Sequence, residues 1–135
     1  MTDSLNTFYV ALVEDKSKEY MLPAYDVYFI NNTDQRIKQI IYDTGGYASA
    51  DDQLIQAIGR FKDLGDLDAR SSMIIDREDE GSFDFTIWWR FKLIFDDEEE
   101  QTFEFCLPKY SVRASNVSYT MLPILNVQGK LIQAS

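Results

Sequence analysis

Residues 83–95 read FDFTIWWRFKLIF, with Phe83, Phe85, Ile87, Trp89, Phe91, Leu93 and Phe95 on one parity. Asp84, Thr86, Trp88, Arg90, Lys92 and Ile94 occupy the other. Successive side chains of an extended chain point to opposite faces, so this alternation sends an aromatic-rich side into a core. Thirteen extended residues at about 3.3 Å each would span roughly 43 Å, long enough that a bend or bulge is expected. Trp88 is the odd member of the mixed face. Either it marks a binding surface, or it is covered by the rest of the chain or by Arg90.

Beyond this strand, Asp96–Glu100 (DDEEE) forms a tip, and Thr102–Leu107 returns with Phe103, Phe105 and Leu107 on the core parity. Setting Leu93 opposite Phe103 places Lys92 opposite Glu104, an oppositely charged cross-strand pair. Pro108 ends the return strand. Towards the N-terminus, Met73–Asp76 reads as a short strand after the connector LGDLDARSS, and Thr7–Val13 reads as a further strand. Ala24–Asn31 alternates Tyr25, Val27 and Phe29 against Asp26, Tyr28 and Ile30. The turn residues Asn32-Thr33-Asp34 then fold Arg36–Tyr42 back as a hairpin partner.

DTGGYASADD, residues 43–52, reads as a glycine-bearing loop. In QLIQAIGRF, Leu54, Ile55, Ile58 and Phe61 fit one short helix near 52–61, capped by Ser49, Asp51 or Asp52. Leu54, Gln56 and Ile58 also alternate, and Gly59 interrupts a helix, so strand is favoured here. Residues 111–135 form a C-terminal extension with apolar clusters at Met121–Leu125 and Leu131-Ile132. It is expected to add edge strands or to pack on a partner. The whole, 1–135, reads as one all-β domain, an antiparallel immunoglobulin-like β-sandwich of about seven or eight strands.

The bulk properties narrow the chemistry. Of 135 residues, 45% are hydrophobic and 14% aromatic, enough for a single core. The net charge is −10, and Asp76 to Glu104 holds eleven acidic against three basic residues. Such a field repels phosphate backbones and favours a basic partner or a cation, or serves solubility alone. There is no histidine and one cysteine, Cys106. Cys/His zinc sites, histidine-dependent nucleophiles and intramolecular disulfides are therefore excluded. The start lacks a basic signal-like region and no run is long and apolar enough to span a membrane, so a cytoplasmic location is expected.

Four constellations invite chemistry. Asp43-Thr44-Gly45 resembles the Asp-Thr-Gly of aspartic proteases, in which two chains would supply two carboxylates around one water. Here Tyr47 and the early Ala57-Ile58-Gly59 depart from that pattern. Asp96–Glu100 and Gly65-Asp66-Leu67-Asp68 carry oxygens suited to calcium, but without an EF-hand glycine loop. Cys106 would need a nearby cation to become reactive. Trp88, Arg90 and Lys92, with Met121, Leu122 and Leu125 from the C-terminal extension, have the composition of a contact surface.

AYDVYFINNT with its hairpin return, and the Gly65-Asp66-Leu67 connector before a strand, resemble the β-sandwich domain that precedes the Smr (small MutS-related) nuclease domain in some bacterial proteins. The likeness covers Tyr25 to Leu107. It implies a non-catalytic interaction module. The expected function is a protein-interaction or scaffolding module of a bacterial-type cytoplasmic protein, with no cofactor and no catalytic residue. Its partner would be a protein or a second copy, as a homodimer. The alternatives are a carbohydrate- or cation-binding module and a dimeric hydrolase using Asp43.

Overall fold

The computed structural model describes residues 7–15, 24–50, 53–57, 62–79, 86–107 and 120–134. These form ten strands: β1 Phe8–Asp15, β2 Ala24–Asn31, β3 Ile37–Ala50, β4 Gln53–Ala57, β5 Lys62–Leu67, β6 Ser71–Asp79, β7 Thr86–Phe95, β8 Glu100–Leu107, β9 Thr120–Met121 and β10 Gln128–Ile132. The first sheet has the order β6-β2-β1-β10-β9. The second has the order β4-β3-β7-β8, with β5 also paired to β3. All pairings are antiparallel.

The two sheets pack face to face. Phe8, Val10, Leu12, Val27 and Phe29 of the first meet Ile40, Tyr42, Trp89, Phe91, Leu93 and Phe105 of the second in one buried cluster. Ring contacts bridge the layers, with Phe29 and Phe91 centroids 4.5 Å apart and Phe8 and Phe103 centroids 5.1 Å apart. The odd parity of the long strand is thus the core parity: Ile87, Trp89, Phe91, Leu93 and Phe95 are all buried. Phe83 and Phe85 lie outside the described residues. Each buried ring of this size stabilises the fold by about 1.5–3 kcal/mol, which makes the sandwich the dominant use of the aromatic content.

The turn after Asn31 forms, but the hairpin expected there does not: β2 is flanked by β1 and β6 in the first sheet, so it has no free edge for β3, and the turn carries the chain across to the second sheet. Asn31 is fully buried, its amide donating to the carbonyls of Gln35 and Asp68 at 2.8 and 3.0 Å. Its side-chain oxygen accepts from the Thr33 backbone N–H and hydroxyl at 3.1 and 2.6 Å. One side chain therefore ties this turn to the β5–β6 connection.

Several further sequence expectations change. Residues 43–50 are strand, not loop: β3 continues through Gly45-Gly46 because Asp43 to Tyr47 pair with Arg90 to Thr86 of β7, and Gly46 to Ala50 pair with β4. Pairing of Gly45 with β7, and of Gly46 with both β7 and β4, outweighs the glycines' poor strand preference. The helix alternative near 52–61 gives way to β4 over 53–57, paired residue by residue with β3. Residues 58–61 fall outside the described set.

The β7–β8 register is also shifted, with Phe91 rather than Leu93 opposite Phe103. The turn is tighter than DDEEE suggests. Glu98 takes a positive φ of 66°, and Phe95 and Glu99 close the hairpin through a 2.9 Å N–H···O bond. The expected bulge lies not in β7 but in its neighbour, where the register shifts between Ile37 and Gln39. The C-terminal extension supplies β9 and β10, and β10 joins β1 inside the first sheet rather than at its edge.

Candidate functional site

A sandwich has two outer faces, and the sequence-derived contact residues divide between them. Trp88, Arg90 and Lys92 lie on the outer face of the second sheet. Leu122 and Leu125 pack on the outer face of the first, and Met121 belongs to β9 at its edge. The single contact surface expected from both groups does not exist, because the thickness of the core separates them. Neither Tyr28 nor Tyr42 lies beside Trp88. Tyr28 is on the first sheet, and Tyr42 points inward to the core.

On the second sheet, Trp88 faces Gly45 on one side and Cys106 on the other. Arg90 lies over the indole, its guanidinium carbon 4.2 Å from the ring centroid. Trp88 is left only 9% exposed. Its position is therefore explained by a cation–π contact worth about 0.5–1 kcal/mol at such a site. Arg90 Nε donates to Glu104 at 3.0 Å, and Lys92 pairs with Glu100 at 3.3 Å. Both ion pairs are half exposed, so each contributes only about 0–1 kcal/mol while neutralising the face.

Burial, then the charge of Glu104, pushes the Cys106 thiol above its ordinary value. That is the opposite of what a reactive thiol needs. Asp43 is 9% exposed and pairs in the ladder with Arg90. The Thr44 hydroxyl donates to the Trp88 carbonyl at 3.0 Å. The Asp-Thr-Gly segment thus lies within a strand, not in the loop through which an aspartic-protease pair presents its carboxylates.

The first sheet's outer face is of a different kind. The pairings Ile74 with Tyr28, Tyr28 with Ala11 and Ala11 with Leu131 make one apolar row across β6, β2, β1 and β10. The turn from Leu122 to Val127 folds over part of this row. Leu122 is buried with Tyr9, Ala11 and Ile30, while Val13, Tyr28, Ile124, Leu125 and Leu131 around them are only half covered. Gly129 is required here: a Cβ would lie 2.6 Å from the Leu12 carbonyl and 2.6 Å from Leu122 Cδ1. The turn is closed by Leu122 N–H to Val127 carbonyl at 2.9 Å, with Ile124 and Asn126 at positive φ of 67° and 55°. A β-branched residue rarely adopts that conformation, so packing of Ile124 on the sheet holds it there.

The row is bordered by the Arg77–Asp26 pair at 2.6 Å. Burial raises the phenol pKa of Tyr9, and burial followed by Asp26 raises that of Tyr28, so both stay neutral donors. Among the described residues, the large hydrophobics left exposed are Ile74 at 57%, Met121 at 55% and Val127 at 43%. All three belong to the strands of the first sheet or to the turn between them. Ile74 was not singled out from sequence. The signal was the uninterrupted Met73-Ile74-Ile75, since three consecutive apolar residues on a strand put one of them on the outer face.

One end of the sandwich gathers the acidic loops. Arg36 contacts Asp66 at 2.5 Å, Asp96 at 2.8 Å and Asp68 at 3.6 Å, and Lys38 pairs with Glu98. With Gln35, Phe95 and Asp97, Arg36 and Asp96 line an open cleft of about 240 Å³. The Asp66–Asp68 and Asp96–Glu100 segments considered for calcium thus surround a guanidinium. Among the described residues, no three Asp, Glu or Cys side chains are grouped to hold a metal.

Among the described residues, no helix is long and apolar enough to cross a membrane. Set against known protein families, curated proteins and solved structures, the chain has no match.

Proposed function

We propose that this chain is a non-catalytic protein-interaction module of a bacterial-type cytoplasmic protein, and that it binds through the outer face of its first sheet. One observation carries this reading. The exposed large hydrophobics, Ile74, Met121 and Val127, gather on that sheet, next to a half-covered apolar row, whereas the charges opposite are paired within the chain. Apolar area rimmed by polar groups is what a partner desolvates most favourably.

The strand order supports an immunoglobulin-like sandwich of the kind the Smr-associated resemblance implies. The run β1-β2-β6 beside β3-β7-β8 has the A-B-E and C-F-G neighbour relations of that architecture. A sugar platform at Trp88 has less support, because Arg90 occupies the face on which a sugar ring would stack. A hydrolase using Asp43 has less support too, because that carboxylate lies in a ladder.

The test is comparative capture. Wild-type protein, Leu125→Glu and Lys92→Glu are immobilised and exposed to soluble extract. A protein retained by wild type and Lys92→Glu but lost with Leu125→Glu is the expected result. Equal retention by all three, or none, would overturn the assignment of this face.

A further inference from the structure

The first sheet ends on β6, which among the described residues pairs only with β2. Two of the other borders are less inviting. The β9 edge has two residues. β8 is bridged at Phe105 to Ala134, and it carries Glu100 and Glu104. β6 instead offers a row of backbone donors and acceptors along an uncharged stretch beside the exposed Ile74.

The stretch is Arg70-Ser71-Ser72-Met73-Ile74-Ile75-Asp76, a cation at one end, an acid at the other and five uncharged residues between. Laid antiparallel on itself about Met73, this pattern is self-complementary. Ser72 of one copy meets Ile74 of the other and Ser71 meets Ile75, with no charged residue inside the paired stretch. A parallel arrangement would set like charges together. The faces agree as well. A two-fold axis perpendicular to a sheet keeps inside residues inside, and Ser72 and Ile74 pair with the outer-face residues Ile30 and Tyr28, whereas Met73 and Ile75 pack against the core.

The ends are already positioned. Arg70 is held at a positive φ of 55° by bonds to Asp34 and the Asn32 carbonyl, both at 3.0 Å. The Asp76 carboxylate accepts from the Arg77 N–H at 2.8 Å and from the Tyr42 hydroxyl of the second sheet at 3.5 Å, so it turns inward and closes the other end of the stretch.

We propose that β6 is a self-association edge, so that the partner of this module is a second copy joined through antiparallel β6–β6 pairing over Ser71–Ile75. The inference rests on the interaction-module reading and names its partner. Edge pairing supplies main-chain bonds, and the meeting of Ile74 with its counterpart strand covers the most exposed apolar side chain of the sheet. Closed two-fold contacts of this kind are the commonest form of self-assembly.

Sedimentation equilibrium on the full chain tests it. Wild type is expected to show a concentration-dependent dimer, and Ile74→Lys to weaken it by about tenfold or more, as a charge placed on an edge strand opposes pairing. The circular dichroism of Ile74→Lys should be unchanged, because that side chain is mainly in water. In a Cys106→Ser background, mixing Ser72→Cys with Ile74→Cys should give a disulfide between the two variants in preference to either alone. A wild-type chain that stays monomeric at every concentration overturns the proposal, as does a dimer indifferent to Ile74→Lys. If a monomeric chain still captures a protein through Leu125, the dimer is refuted while the interaction-module reading stands.

Discussion

Replacing Gly129 with alanine adds one methyl group at a place where two elements already touch. The new carbon would sit 2.6 Å from the Leu12 carbonyl oxygen and 2.6 Å from Leu122 Cδ1. The carbonyl belongs to the strand that pairs with β10 and has little freedom to move, so Leu122 or β10 must shift. Overpacking of this kind costs about 1–3 kcal/mol. If Leu122 is expelled from its site, where it is 1% exposed, up to about 1.5–3 kcal/mol of burial is lost as well. A destabilisation of about 2–4 kcal/mol follows, which for a chain of this length corresponds to a fall of roughly 6–15 °C in melting temperature. Urea and thermal unfolding would measure it. Leu122→Ala in the same background should recover part of the loss, because the two changes share one contact and are not additive. A Gly129→Ala protein within about 0.5 kcal/mol of wild type would falsify the packing described for the turn, since surface substitutions fall in that range.

Other outcomes follow from the core and from the opposite face. Phe91→Ala removes contacts to Phe29, Tyr42 and Phe105 at once, and denaturant unfolding should show a loss of about 3–5 kcal/mol. Burial raises the Tyr42 phenol pKa well above its ordinary value, with Thr44 opposing the shift through a hydrogen bond. The unfolded chain ionises first, so the stability this neutral phenol supplies is complete below roughly pH 10 and falls by about 1.4 kcal/mol per pH unit above it. Tyr42→Phe should flatten that alkaline slope in melts recorded from neutral to high pH; an unchanged slope would contradict the assignment. Arg90→Ala should shift the Trp88 emission to longer wavelength and speed labelling of the neighbouring Cys106, with a stability cost of about 1 kcal/mol. Unaltered emission would mean that the guanidinium does not cover the ring.

Much of the architecture was legible because β-sandwiches advertise themselves by alternation. The parity of Ile87 to Phe95 and the return of Phe103 to Leu107 each point to one arrangement, whereas the turn residues after Asn31 mark a reversal without telling a hairpin from a crossing to the other sheet. What escaped detection depends on partners distant in sequence. Gly45 and Gly46 look like a loop until β4 and β7 are placed on either side of them. The β7–β8 register hinges on Glu98 accepting a positive φ, where glycine or asparagine would have signalled the tight turn. Trp88 was correctly seen on the mixed face, but whether it was open or covered depended on the rotamer of Arg90, which no spacing encodes. The division of the contact residues between opposite faces could not be read either, since strand parity says inside or outside and never which sheet.

The ladder between β2 and β6 slips by one residue between Val27 and Tyr28, leaving Ile75 as the extra member. Beyond that kink the inward and outward positions of β6 are exchanged relative to a regular strand, and Asp76, Arg77 and Glu78 follow in quick succession. A visiting strand in register with Ser71–Ile75 would meet the wrong faces and a dense run of charge one step later. The irregularity therefore acts as a stop: it bounds the length of any backbone zipper this rim can form, and it discourages the open-ended stacking by which unguarded sheets grow into fibres.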